Sequence, residues 1–352
     1  MSDRLGHASY GKFILLAAIS KVLLMDRSYM ALGGGGFLLP LFAAALMAGL
    51  MVMLHRGGRR AFVLKNGQRP DGAMRIAMGL VALGIFFEVV SLVGSTAVNM
   101  KYETFLTTDE GQLAAAVLGA MALAAIQGLT GLEGAGKIGL VVTLLILLLV
   151  LSAGYSNYDG FRIFPLLSGD GRQYVLPLME WLMAFWPVVL LWVFPKKEVH
   201  APEMIKSGLK GILWGGLWCA VVYLGCVLVR SPFSAQPGYS PVEFLFEQAT
   251  MGRAFYRLDP LISIAITMVT VVTGALALSV CGVLLQQIIG LPHKRPVVAL
   301  TAALALLVLY WVLTPGSPLW GSLAMIRSLA PGLMLSGLLL RTVWGRSGCH
   351  EG

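Results

Sequence analysis

Charge is the scarcest commodity in this sequence. Of 352 residues only 12% are Asp, Glu, Lys or Arg, while 57% are hydrophobic and the mean hydropathy is +0.81. A soluble domain carries about 25% charged residues, so that class is excluded. Cysteine is nearly as sparse. Cys219, Cys226, Cys281 and Cys349 fall in apolar stretches or the tail; none pairs with another in a polar loop, which points to neither a disulfide framework nor a zinc site. The five histidines (His7, His55, His200, His293, His350) all lie in loops, tails or the ends of apolar runs. An intramembrane histidine relay is therefore not expected. Nucleophile elbow, phosphate-binding loop and metal-ligand cluster are missing as well, so neither an enzyme nor a cofactor is expected. The apolar runs do not alternate as barrel strands would. The polar start MSDRLGHASYGK leads into an apolar run that no small-residue cleavage site closes, and no cleavable signal peptide is expected.

What the chain does have is a succession of apolar runs of about 17 residues or more, the length that crosses a bilayer as a helix. Ten spans are expected, at 12–30, 37–55, 73–98, 112–130, 137–154, 174–194, 207–229, 260–290, 297–314 and 320–341. The fold class is an all-α polytopic membrane protein with the lipid bilayer as its surroundings. The net charge of +9 describes topology rather than affinity for nucleic acid, because the cations segregate. Seventeen Lys/Arg residues, among them Arg56, Arg59, Arg60, Lys196, Lys197, Lys294 and Arg295, fall on one side, and seven lie in the opposite loops. The positive-inside rule then makes both termini cytoplasmic, in agreement with an even number of spans. In the long loop 230–259, Ser240-Pro241-Val242-Glu243 has the form of a capping box, and a short helix over the outer mouth is expected.

Several spans are interrupted. The first runs into Asp26-Arg27 and Gly33–Gly36, the sixth holds Pro177, Glu180 and Pro187, and the eighth carries Gly274 in mid-span. Breaks in membrane helices survive where they are buried or line a cavity. If ten spans divide five and five, 12–154 and 174–341 are two repeats in a single transmembrane domain over 1–352. The first and sixth spans then correspond, and interrupted helices at corresponding positions point to a central site. The two halves share no convincing sequence identity.

Three charges lie well inside spans: Lys21, Glu88 and Glu180. An ammonium at mid-membrane costs roughly 2.5–3.5 kcal/mol on insertion scales, and such residues commonly mark functional sites. Lys21 paired with Glu88, or second with Glu180, would form a binding or proton-coupling centre, with Ser20 beside it. A buried ion pair that fixes helix register is the alternative. In the eighth span Ser263, Thr267, Thr270 and Thr273 recur at steps of three and four. Their hydroxyls could hold a solute or could bond back to their own helix's carbonyls. Trp181, Phe185 and Trp186 are either pocket walls or packing residues, and Arg327 reads as interfacial.

Three stretches resemble a known family. Gly131-Leu132-Glu133 followed by Lys137, the external segment Asn157–Leu167, and Phe255-Tyr256-Arg257-Leu258-Asp259 before the eighth span are similar to motifs of the GerAB-type spore germination permeases. Arg295-Pro296 fits the same pattern. That family belongs to the amino acid–polyamine–organocation superfamily. The resemblance implies a LeuT-like five-plus-five inverted repeat of about ten transmembrane helices. It also implies an amino-acid-type permease or the B subunit of a spore nutrient germinant receptor, in the cell membrane or spore inner membrane. The partners would be an amino-acid-like small molecule and A- and C-type receptor subunits. Lys21 would stand where relatives hold a sodium ion or a substrate carboxylate. The family's glycine-rich break in the first span is Ser20-Lys21-Val22-Leu23 here, its glutamate late in the sixth span falls near Phe185-Trp186-Pro187, and its lysine deep in the eighth falls near Thr273. A proton-coupled amino-acid transporter without a germination role, or a scaffold or sensor subunit that does not transport, are the other functions the chain could serve.

Overall fold

The computed structural model describes residues 7–25, 32–57, 71–103, 105, 107–164, 166, 171–193, 201–229, 242, 245, 259–291, 293–315, 317 and 322–347. All regular secondary structure among them is helical: α1 (His7–Leu23), α2 (Leu38–Gly57), α3 (Gly72–Glu103), α4 (Glu110–Gln127), α5 (Leu129–Ala153), α6 (Val175–Met183), α7 (Leu190–Val193), α8 (Ala201–Val229), α9 (Asp259–Ile289), α10 (Lys294–Leu313) and α11 (Leu323–Ser347). Seven helices among the described residues, α2, α3, α4, α5, α8, α9 and α10, are long and apolar enough to cross a membrane. The other three expected spans correspond to shorter or broken segments. α1 has 17 residues, α11 has an apolar stretch of only Met325–Leu340, and the sixth span is divided.

The division of the sixth span follows from its proline. α6 ends at Met183, and a 3₁₀ turn, Trp186–Val189, with Pro187 near its start joins it to α7. Proline offers no N–H to the preceding turn and its ring clashes with that turn's carbonyl. The buried Tyr10 hydroxyl of α1 donates to the Val188 carbonyl at 3.2 Å, which ties the backbone of the break to another helix. α1 closes with Leu24 N–H on the Ser20 carbonyl, and Gly33, at φ 77°, precedes a 3₁₀ turn Gly34–Phe37. That backbone region is the one glycine reaches without a Cβ penalty.

One expectation is corrected at the fourth and fifth spans. The sequence suggests a loop between 130 and 137, yet α5 starts at Leu129 and Gly131, Leu132 and Glu133 are already helical. A single glycine, Gly128 at φ 98°, separates it from α4. One residue in that conformation redirects the chain, so no longer loop is needed. Of the long loop 230–259 only Val242 and Leu245 are described before α9, both helical and fully buried; the rest of the expected capping box and Phe255–Leu258, including Arg257, lie outside the described residues.

α9, α3 and α8 form the middle of the bundle, with 61–78% of their most apolar windows buried, against 33–39% for α2, α4, α5 and α10. The outer helices turn large apolar side chains outward, such as Phe42 and Leu46, Leu145 and Leu148, and Leu300, Leu304 and Leu307, a surface suited to acyl chains rather than water. α1 and α8 run parallel: Gly11 meets Ser207 and Gly211, and Ala18 meets Gly215 and Cys219. A Cβ on Gly11 or Gly211 would strike the partner's backbone, the close approach typical of membrane helix pairs. α3 runs antiparallel to α11 (Gly84 beside Ala330, Ala77 beside Gly337) and to α9 (Thr96 beside Thr270, Ala82 beside Cys281), while α4 and α9 are parallel. These directions are those an alternating path through the expected spans requires.

Candidate functional site

α3 positions the centre. Glu88, Ser91, Leu92 and Ser95 are spaced by three, four and seven residues, so they share one face of the helix. At ~1.5 Å per residue the two serines lie roughly 4.5 and 10.5 Å beyond Glu88 along the axis. Opposite this face come the last turn of α1, the middle of α6 and the first turns of α11.

Lys21 pairs with Glu88. Its Nζ stands 3.2 Å from Oε2 and 3.3 Å from Oε1, so both carboxylate oxygens accept from one ammonium. Glu88 is 2% exposed and Lys21 11%. The pair keeps two costly charges together, and breaking it would strand whichever remained. Ser20 does not join it. Its hydroxyl donates to the Ala17 carbonyl at 2.8 Å, one turn back in α1.

Beside the pair is a narrow cavity lined by Lys21, Ser91, Ser95, Glu180 and Arg327, with Leu24, Met25, Leu92 and Trp181 as its apolar walls. Its interior has room for about one water. Glu180, 8% exposed, reaches it from α6. Arg327, half-buried, reaches α3 from α11: Nε donates to Ser91 Oγ at 3.2 Å and a terminal nitrogen donates to Ser95 Oγ. Four helices thus bring two cations and two carboxylates to one buried place. Ser91 and Ser95 are not marked by the sequence, which gives Arg327 only as interfacial. The period of the α3 stripe was present to be found, but the depth of Arg327 depends on how far α11 overlaps α3.

The hydroxyls of α9 are placed elsewhere. Thr267 donates to the Ser263 carbonyl at 2.6 Å, and Thr270 meets Thr96 of α3 at 3.3 Å. Neither lines the cavity. Trp181 forms part of the wall, while Phe185 and Trp186 are buried packing residues next to the α6 break.

The residues of the family-like segments lie apart from the cavity. Glu133 accepts from Ser9 of α1 and from Lys137 at 2.7 Å, one turn along α5, so Gly131-Leu132-Glu133 ties the start of α1 to α5. Asp159 caps its own turn by accepting from Phe161 N–H at 3.0 Å, and Arg162 donates to the Val229 carbonyl at the end of α8. Asp259 opens α9. No family model matches the chain, and no curated protein matches its sequence.

Proposed function

We propose that this chain is a membrane-embedded, permease-type protein with a LeuT-like five-plus-five inverted repeat, and that it binds a small amino-acid-like solute in the cavity between α1, α3, α6 and α11. The observation that carries the reading is the convergence of Lys21, Glu180 and Arg327 on one cavity, with Glu88 paired to Lys21 beside it, next to the two interrupted helices. Charges of both signs are costly in a bilayer, and four from separate helices would not be gathered by packing alone.

Support for the repeat comes from which helices pack together. Taking α6 with α7 as the sixth span, α1 on α8 is matched by α6 on α2, and α3 on α11 by α9 on α5. In the same way α9 on α4 is matched by α3 on α10, α3 on α4 by α9 on α10, and α6 on α11 by α1 on α5. The pairs α3–α9, α2–α8 and α4–α10 each map onto themselves. The match is incomplete, since α1 lies along α9 more extensively than α6 lies along α3. Five crossings per half would place the second half upside down relative to the first. A role as the B subunit of a germinant receptor rests on the segments around Glu133, Asp159 and Asp259 alone. Solute uptake by proteoliposomes separates a transporter from a subunit that only senses.

The direct test is a thermal-shift screen of the proteinogenic amino acids against the purified chain at two pH values, followed by titration. Glu180→Gln, monodisperse in detergent, is expected to bind the selected amino acid about tenfold more weakly, the cost of losing one charge-assisted hydrogen bond. Unchanged affinity in that variant would overturn the assignment of the cavity as the binding site.

A further inference from the structure

We infer that the recess between the end of α9 and the start of α10 binds an anionic phospholipid, with Arg295 taking its phosphate and the outer face of α10 its acyl chain. The site shares no residue with the solute cavity.

The recess measures about 570 Å³ and is lined by Gln286 of α9 and by His293, Lys294, Arg295 and Pro296 at the start of α10. The turn between the two helices sets its shape. Gly290, at φ 80°, takes the backbone region open to glycine. The N–H groups of Gly290 and Leu291 both donate to the Gln286 carbonyl, at 2.8 and 3.2 Å, and Gln286 Nε2 donates to the Leu291 carbonyl at 3.1 Å. Gln286 thus holds the turn with its backbone and its side chain together.

Charge selects the headgroup. Lys294 and Arg295 are cations, and none of the described residues lining the recess is acidic. Arg295 is exposed and makes no hydrogen bond or ion pair with the described residues. Its planar guanidinium presents paired donors that match two phosphate oxygens. The recess lies at the end to which the sequence assigns most of the Lys and Arg residues, the cytoplasmic one by the positive-inside rule. Anionic lipids concentrate in that leaflet, and basic pockets between spans on that side suit their headgroups.

The surface beside the recess makes the ligand a lipid rather than a free phosphate. Pro296, Leu300, Leu304, Leu307 and Trp311 recur at steps of four, four, three and four and are all exposed, so they form one apolar stripe along α10. From Leu300 to Trp311 the stripe runs roughly 16 Å at ~1.5 Å per residue, about the depth of one leaflet of a ~30 Å core. A phosphate on Arg295 stands at the head of that path. On α5 the outward apolar face starts instead beside Lys137, which is already paired with Glu133.

The experiment titrates dioleoyl phosphatidylglycerol into the full-length purified chain in detergent and follows thermal unfolding, since a ligand of the folded state raises its stability. Phosphatidylglycerol is expected to raise the unfolding temperature more than phosphatidylcholine at the same mole fraction. Arg295→Gln is expected to need about fivefold more phosphatidylglycerol for the same shift, the effect of one basic residue at an anionic lipid surface. Because Arg295 is exposed, that variant should unfold at the parent's temperature without lipid. Lys210→Gln, which removes an exposed cation on α8, is expected to leave the titration unchanged. A shift no larger with phosphatidylglycerol than with phosphatidylcholine overturns the site, as does an undiminished response in Arg295→Gln. Equal losses in the two variants would make the attraction diffuse and overturn it too. The same shift with sodium phosphate at matched ionic strength would make the ligand the free ion and overturn the lipid assignment.

Discussion

α3 and α9 lie side by side in the middle of the bundle, and each carries a polar stripe through an otherwise apolar helix. On α3 the stripe is Glu88, Ser91 and Ser95; on α9 it is Ser263, Thr267, Thr270 and Thr273. The first meets an ammonium from α1 and a guanidinium from α11, and a carboxylate from α6 lines the same cavity. The second spends Thr267 on its own backbone and Thr270 on a single threonine of α3, while the buried Thr273 hydroxyl has no hydrogen-bond partner among the described residues. The two stripes repeat at the same helical steps of three and four, and both are buried except at Thr267, which is half-buried. The difference is that a hydroxyl can be satisfied one turn back within its own helix, whereas a charge cannot. Charged stripes therefore need other helices, and the place where those helices meet becomes a site.

The sharpest way to break this contrast is at the ion pair. Glu88→Leu leaves the Lys21 ammonium uncompensated and is expected to lower stability by about 3–5 kcal/mol. Lys21→Met/Glu88→Leu, which removes both charges, is expected to regain most of that in denaturant unfolding of the detergent-solubilised protein. A double variant as unstable as the single one would show that the two side chains are not coupled. A smaller effect is expected from Thr270→Val, which leaves the Thr96 hydroxyl bonded to the Leu92 carbonyl at 2.8 Å and should cost about 1 kcal/mol. Smallest of all is Thr267→Val, expected within about 0.5 kcal/mol of the parent. Neither threonine variant should alter solute affinity in the same titration. A tenfold loss in either would make α9 part of the site and erase the contrast.

Much of this was legible in the residues. Long apolar runs gave the helices, since a chain in lipid must satisfy its backbone internally. Pro187 and the Gly33–Gly36 run gave the interruptions. The costs of Lys21 and Glu88 marked them as partners before any geometry was known. Less legible was Arg327, because its distance from the span's outer end suggested an interfacial cation, and only the antiparallel overlap of α11 with α3 brings it to Ser91 and Ser95. The α4–α5 boundary was misplaced because a small, partly polar stretch, Gly131–Gly136, reads as a loop, yet Gly128 alone makes the turn and the stretch continues as helix.

The sequence by itself determined that the chain is helical and apolar, that Pro187 breaks the sixth span, and that Lys21 had to find a carboxylate, whereas the interruption expected at Gly274 is absent and α9 runs unbroken through it. Those properties are local: hydrophobic period, proline chemistry and the cost of a single charge in hydrocarbon act within one helix at a time. The tertiary structure alone decided that both Glu88 oxygens face the Lys21 ammonium, that Arg327 reaches Ser91 and Ser95, and that Thr267 and Thr270 do not line the cavity. Those outcomes depend on register and rotation between helices, set by close approaches such as Gly84 with Ala330 and Gly11 with Gly211. No single helix carries that information, because it exists only in the fit of one against the next.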